Sequence, residues 1–391
     1  MHVLFWLAVV WLGYVYVGYP LLLAVLGMVY RVRPRIRGDY LPTVSVLIAA
    51  RNEEKDIAWK IRECFDWDYP SDRIEVLVAS DASEDRTDEI VRGITDPRLT
   101  FVRIESRVGK NLALNRLVPL AHGEILFFTD ANAHIERFAL RRLVRHFADE
   151  RVGCVTGQTR PFVQDNWTTG ASFYWDYEAI VKRLENTIGS VLVCEGAVFC
   201  IRRTLFTRLS AELANDLELP LRIGKLGLWV RYDRGAFASE YETSSPREEF
   251  DRRRRICSQG MLATLRLWHS FSTLRGWQFA SRKFLRWFTL LPLALLLVSC
   301  ATISYQSFRP FFMVALALQV LVYLLAGFGW LLTSIHKQIR GIITVPYYAV
   351  LVCAAGLIGT IEAGLGHRFA VWDIPGTSRR GDAGVKLGKA Q

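Results

Sequence analysis

Apolar and polar positions divide this chain into two kinds of territory. From Leu4 to Tyr30 there is no Asp, Glu, Lys or Arg, and three further apolar stretches follow at Trp287–Tyr305, Phe311–Leu332 and Ile342–Ile361. Each approaches the ~20 residues a helix needs to cross a bilayer core. The leading stretch has no basic n-region and no small-residue cleavage site, and it is long for a signal peptide. It therefore predicts a retained membrane segment and not a cleaved leader.

Between Tyr40 and Leu265 the pattern changes to short apolar runs alternating with amphipathic stretches. Thr43–Ala50, Ile74–Ala79, Leu99–Ile104 and Glu124–Thr129 read as strands, and Glu53–Phe65, Asp85–Arg92 and Asn111–Leu120 as helices. That alternation predicts an α/β domain with a mostly parallel sheet covered on both faces. A less regular section, Gly153–Leu265, follows, with a basic helix beginning near Pro246. Leu262–Phe284 mixes Trp268, Phe271, Leu274 and Trp277 with Arg266, Arg275 and Arg282, as a helix lying on a membrane surface would. An ordinary packed helix is the alternative. The expected organisation is an N-terminal membrane segment at 1–36, a cytoplasmic domain at 37–265, an interfacial helix at 266–285, membrane helices at 286–366 and a polar tail at 367–391.

Composition adjusts this picture in two places. The net charge of +11 would suit nucleic acid. However, Arg31, Arg33, Arg35 and Arg37 follow the first apolar segment directly, and Arg282, Lys283 and Arg286 precede the second. Basic residues at such flanks mark the cytoplasmic side and attract anionic headgroups, so the partners expected are membrane lipids and no nucleic acid. The seven cysteines are odd in number and lack CxxC spacing, which argues against a disulfide framework or a zinc site and for buried reduced thiols. One crossing followed by three would leave the basic tail outside the cytoplasm, against the positive-inside tendency. Either a hairpin at Gly18-Tyr19-Pro20 or a re-entrant late segment would resolve this.

Candidate chemistry gathers at strand ends, where open α/β sheets bind ligands. Arg51-Asn52-Glu53 follows the first strand, Ser80-Asp81 the second, and Asp130-Ala131-Asn132 the fourth. A single carboxylate there is often a helix cap; three polar strand ends facing one crevice suggest a site.

The motifs VSVLIAARNEE, LVASDASEDRT, GKNLALN, FFTDANAH, VCEGAVFCIRR, NDLELPLRIGKLG and EEFDRRRRICSQG occur in this order. Together they resemble the family-2 glycosyltransferases, whose cytoplasmic domain has the Rossmann-like GT-A fold, and in particular the membrane-bound branch of cellulose, hyaluronan and chitin-type synthases. The resemblance runs from the leading membrane segment to the late ones. It implies donor-binding roles for Asn52, Glu53, Asp81, Lys110, Asp130, Arg252 and Arg255. Asn52 and Glu53 would lie near the base, Asp81 at the uridine and Lys110 near the diphosphate. Asp85 would hold the acidic loop or cap a helix. A lysine at a helix start is physically suited to phosphate.

FFTDANAH occupies the place of the family's DxD motif, implying Asp130 and Asn132 as ligands of Mg2+ or Mn2+. Asn132 can offer a carbonyl oxygen, yet the motif carries one negative charge fewer, and another residue could complete the shell. Gly196 and Ala197 would lie beside the acceptor, and the role of Glu195 is open. Asp216 stands at the catalytic position of the acidic pair, where an inverting transfer needs a general base for the acceptor hydroxyl. Arg252 and Arg255 fall at the Gln and Arg of the family's QxxRW segment, with Ile256 in place of Trp. A basic juxtamembrane helix on anionic lipid would also explain these arginines, with Arg253 near lipid.

The resemblance thus implies an inverting, metal-dependent transferase moving a sugar from a UDP-sugar to a lipid-linked or polysaccharide acceptor. It would be a multi-pass protein of the cell (inner) membrane with a cytoplasmic catalytic domain and export or synthesis partner proteins. Two alternatives are a single-addition polyprenyl-phosphate sugar transferase and a non-catalytic nucleotide-binding subunit of a polysaccharide-synthesis complex.

Overall fold

The computed structural model describes residues 1–162, 169–241, 245–267, 273–335, 339 and 341–369. The middle of the expected interfacial helix, 268–272, and most of the expected tail, 370–391, lie outside the described residues. The chain begins with helix α1 (His2–Gly13), a π-helical turn (Tyr14–Gly18) and α2 (Tyr19–Val29). These run on as one helix over His2–Val29, which removes the hairpin alternative at Gly18-Tyr19-Pro20. Pro20 is tolerated because it lies in the first turn of α2, where the π turn has already displaced the regular bonding.

The domain that follows is built on β1 (Val44–Ala50), α3 (Ile57–Phe65), β2 (Ile74–Asp81), α4 (Thr87–Arg92), β3 (Leu99–Ile104), α5 (Lys110–Leu117) and β4 (Ile125–Asp130). The remaining elements are β5 (His134–Ile135), α6 (Ala139–Val144), β6 (Val152–Phe162), α7 (Thr169–Thr187), β7 (Phe199–Arg202), α8 (Asn215–Lys225), β8 (Trp229–Tyr241) and α9 (Pro246–Leu267). All eight strands form one sheet, ordered β3-β2-β1-β4-β7-β6-β8-β5. The first four are parallel, as the alternation of strand and helix requires, while β7 and β5 run antiparallel to their neighbours.

Strand β1 shows why its run is apolar on both faces. Val44, Val46 and Ile48 pack with Ile57 and Ile61 of α3 and Leu140 and Leu143 of α6. Leu47 points the other way, to Leu114 and Leu117 of α5 and Leu219 and Ile223 of α8. Burying each such side chain contributes ~1.5–3 kcal/mol. Gly157 lets β6 and β8 meet where their register shifts, since a Cβ there would lie 2.4 Å from the Ala236 carbonyl oxygen.

After α9 come α10 (Thr273–Phe279), a π-helical turn (Ala280–Phe284), the short α11 (Leu285–Trp287), α12 (Leu290–Ser307), α13 (Pro310–Ser334) and α14 (Thr344–Gly364). Four helices are long and apolar enough to cross a membrane: His2–Val29, Leu290–Ser307, Pro310–Ser334 and Gly341–Gly364. Helix α14 is seated on the basic helix α9. A Cβ at Gly359 would lie 2.1 Å from the Arg254 carbonyl oxygen, and Arg254 donates to Glu362 at 2.6 Å.

The first helix is tied to the domain through a buried charge network. Tyr19 donates to Glu185 of α7 at 2.6 Å, and Arg282 bonds both Glu185 and Glu178, the latter at 2.7 Å. Arg286 bonds the other oxygen of Glu178. Trp277 donates to Tyr14 at 2.8 Å, and Tyr14 meets the Ser281 hydroxyl at 2.6 Å. Arg282 is only 1% exposed. Its charge therefore turns inward, where the sequence reading placed it at the headgroups. The described part of the expected interfacial helix packs inward at Phe279, Ser281 and Arg282 and exposes Leu274.

Removing one side of a buried ion pair leaves a desolvated charge behind and typically costs about 3–5 kcal/mol. Arg282→Met should accordingly lower the thermal unfolding midpoint of the detergent-solubilised protein strongly. An unchanged midpoint would show that the network contributes nothing to stability.

Candidate active site

The parallel register brings the polar strand ends together. Ala50 lies opposite Ser80, and Ala49 opposite Asp130, so the loops after β1, β2 and β4 open on one crevice. A cavity of about 1150 Å³ occupies it and is lined by Asn52, Asp81, Lys110, Asp130 and Asn132.

The first two loops are zipped together. Arg51 donates to the carbonyls of Asp81 and Ala82 at 2.9 and 2.7 Å, and the Asn52 side chain accepts from the Glu84 N–H at 2.8 Å. Asn52 (φ 53°) and Ala82 (φ 52°) hold left-handed backbone there, a strained state that the bonded loops maintain. Asp85 accepts from the Glu54 N–H and from the Thr87 N–H, both at 3.0 Å, so it both holds the loop and opens α4. Glu53 departs from expectation. It is 1% exposed and absent from the cavity wall, and its backbone N–H donates to the Thr87 hydroxyl at 2.7 Å.

Asp81 acts on the chain itself. Its two carboxylate oxygens accept from the Val108 and Gly109 N–H groups at 2.7 and 2.8 Å. Gly109 has φ 91°, a conformation open to glycine, and delivers Lys110 to the first turn of α5. The Lys110 ammonium then bonds Asp130 across the crevice.

Asp216 stands on the opposite wall in the first turn of α8. Four residues later comes Pro220, which has no N–H to give the Asp216 carbonyl. The freed carbonyl accepts instead from the Cys194 N–H at 2.9 Å, tethering the 194–197 loop to the helix that carries Asp216. Gly196 faces the carboxylate directly: a Cβ there would sit 3.4 Å from Oδ2. Burial raises the Asp216 pKa and nearby Asp130 adds to this, whereas Lys110, Lys283 and Lys182 favour the charged form.

Helix α9 supplies Arg252, Arg255 and Ile256 to the same cavity. Burial lowers the Arg255 pKa to about 10, joined by repulsion from Arg252 and opposed by Asp216 and Asp130. Arg253 does not reach a lipid surface. It is 8% exposed, donating to Glu249 at 2.7 Å and to the Tyr348 hydroxyl at 2.9 Å. The aromatic surface absent at Ile256 comes from elsewhere, since Tyr174, Trp175, Tyr348 and Trp287 line the cavity.

Sequence reasoning missed Lys182, Lys283 and Glu240. Lys182 bonds Glu195, the residue whose role was open, and burial lowers its pKa to about 7. It lies in an amphipathic run with no motif around it. Glu240 lies one residue before the end of the long strand β8, where nothing in the local pattern marks a ligand site. The cavity also extends past Asp216 to Leu12 and Tyr16 of the first helix, Leu293 of α12, and Val352 and Gly356 of α14.

Comparison with known proteins places this architecture. Residues 45–209 match the family described as Glycosyl transferase family 2. The chain carries a family-2 glycosyltransferase domain. The probable glycosyltransferase YdaM of Bacillus subtilis is 31% identical over 218 residues, covering 52% of this chain and 51% of that protein. The beta-monoglucosyldiacylglycerol synthase of Trichormus variabilis is 30% identical over 215 residues, covering 51% and 45% respectively. The matches thus span about half the length of these curated relatives. The solved mannosyltransferase PcManGT of Pyrobaculum calidifontis, in complex with GDP-Man and Mn2+, superposes with a TM-score of 0.68 at 22% identity, over 90% of this chain and 99% of its own. The fold of this family-2 domain is accordingly GT-A, with membrane helices on both sides of it in the chain.

Gly109→Ala would hold an L-residue at φ 91° for about 1–3 kcal/mol of strain, or else pull the loop off Asp81. Titration calorimetry with UDP should show weakened binding. Unchanged affinity would detach this loop from nucleotide recognition.

Proposed function

We propose that this family-2 transferase moves a sugar from a UDP-sugar, with inversion, to a lipid acceptor that enters from the membrane. The observation that carries this reading is the single cavity reaching from the strand-end carboxylates past Asp216 to the membrane helices. A lipid presented along those helices would meet Asp216 without leaving the bilayer face. The similarity to the beta-monoglucosyldiacylglycerol synthase of Trichormus variabilis supports a lipid acceptor over a soluble glycan.

In this reading Asn52 and Asp81 lie at the nucleotide, and Lys110, Arg252 and Arg255 attract the diphosphate. Asp130 and Asn132 would hold Mg2+ or Mn2+. Their oxygen donors suit a hard cation, and Asp130 already meets a positive charge in the Lys110 ammonium, which supports this reading. When bound, such a cation would supply charge neutralisation at the leaving diphosphate. Asp216 takes the acceptor hydroxyl's proton as its oxygen attacks the anomeric carbon from the opposite side. Gly196 and Ala197 leave room for the acceptor beside that carboxylate. The protein is then a multi-pass protein of the cell membrane with its GT-A domain, residues 37–265, in the cytoplasm.

The test is transfer in lipid nanodiscs containing diacylglycerol or a polyprenyl phosphate, across a panel of UDP-sugars with GDP-mannose for comparison. Labelled glycolipid from one donor, lost in Asp216→Asn with UDP binding retained, is the expected outcome. No transfer with any donor and acceptor would favour the non-catalytic subunit instead. Soluble or long-chain product without glycolipid would overturn the lipid acceptor.

The pH profile tests Asp216 separately. Its raised pKa means that it is protonated, and inactive as a base, at pH values where an ordinary carboxylate is still charged. The acid limb of kcat/KM should lie above the usual carboxylate range. Lys283→Met, which removes a charge favouring ionised Asp216, should move that limb higher still. A limb that does not move would separate Lys283 from the base.

A further inference from the structure

We infer that Glu240 is the second carboxylate of the donor-side cation site, standing in for the acidic residue that Asn132 lacks. The inference rests on the nucleotide-sugar reading above. It starts from the sheet. Strand β8 pairs antiparallel with β5, setting Ser239 opposite His134 and Ala238 opposite Ile135. Glu240 is the next residue of β8 beyond Ser239, and Ala133 immediately precedes His134. Ala133 closes the Asp130 turn through its N–H to the Asp130 carbonyl at 3.3 Å. A residue 110 positions away in sequence is thereby delivered beside the DxN turn.

Glu240, Asp130 and Asn132 all line the cavity. The Asp130 carboxylate is near enough to Glu240 for the two to repel. Two like charges held together in a half-enclosed space are favourable when a cation lies between them. Lys110 answers Asp130, while Arg252, whose charge acts on Glu240, is also drawn to Glu249 at 3.7 Å.

Two carboxylates and an amide oxygen form a hard donor set. A Mg2+-type site uses one or two carboxylates and takes its remaining oxygens from substrate phosphates. The competing account makes Glu240 only a counter-ion of Arg252, and the two accounts differ in what an acid restored at position 132 should do.

The experiment measures Mn2+ binding by EPR of the free ion, using the full-length protein in nanodiscs with saturating UDP or, in parallel, GDP. UDP binding in EDTA serves as the check on folding. Glu240→Gln should weaken Mn2+ by roughly tenfold or more, at least the loss typical of changes in the outer shell of a metal site. Adding Asn132→Asp to that variant should restore the affinity, because it returns the lost carboxylate to the same cation. Unchanged Mn2+ affinity in Glu240→Gln overturns the inference alone. So does weakening that Asn132→Asp fails to repair. A wild-type protein that binds neither nucleotide-Mn2+ pair overturns the metal-dependent reading together with the inference.

Discussion

The structure depends on a buried arginine. Arg282 bridges Glu178 and Glu185 of α7, and Glu185 also accepts from Tyr19 of the first membrane helix. Burial disfavours charge on Glu178, but Arg282, Arg286 and Lys283 outweigh that cost and hold its carboxyl well below its ordinary pKa. Ion pairs of this kind contribute little net stability over an apolar replacement, yet they are intolerant of misalignment, since any displaced member is left charged and dry. The network thus fixes one relative position for the first helix, α7 and the segment before α12. Because Glu178, Lys182 and Arg286 also line the cavity, that position defines the cavity's membrane side.

On the opposite side, the carboxyl ends of parallel strands supply the polar groups, and backbone bonds aim them. Asp81 holds the loop that presents Lys110, while Pro220 frees the Asp216 carbonyl to hold the loop that presents Gly196. In both cases backbone N–H groups of a neighbouring loop are held from the cavity wall, by the Asp81 carboxylate in one and by the Asp216 carbonyl in the other. Such bonds keep the arrangement ready before a ligand arrives.

Part of the positive charge is paired within the protein. Arg253 pairs with Glu249 and Tyr348, Lys182 with Glu195, and Arg254 with Glu362. The cavity wall also carries Arg252, Arg255 and Lys283, close to the carboxylates Asp130 and Asp216. A wall of that kind suits an anionic donor near carboxylates that must remain usable, because it lowers the cost of bringing a diphosphate beside them.

Much of this was legible in the chain. The strand runs Thr43–Ala50, Ile74–Ala79, Leu99–Ile104 and Glu124–Thr129 contain enough β-branched and apolar residues to specify buried parallel strands locally, and all four form within a residue or two of those limits. Four apolar stretches marked the four long apolar helices for the same reason: length and hydropathy are local properties. Asp130 was recognisable because it ends a strand that hydrophobic pattern locates, whereas Lys110 and Asp216 were recognisable through the resemblance of their motifs to those of the family. Other features depended on which surfaces meet. The inward turn of Arg282, the burial of Glu53 and the seating of α14 on α9 all join residues far apart in the chain. Hydrophobic period and turn chemistry specify each element's shape and its apolar face, but a charged side chain's partner is chosen by packing. Only the folded chain decides which carboxylate an arginine meets.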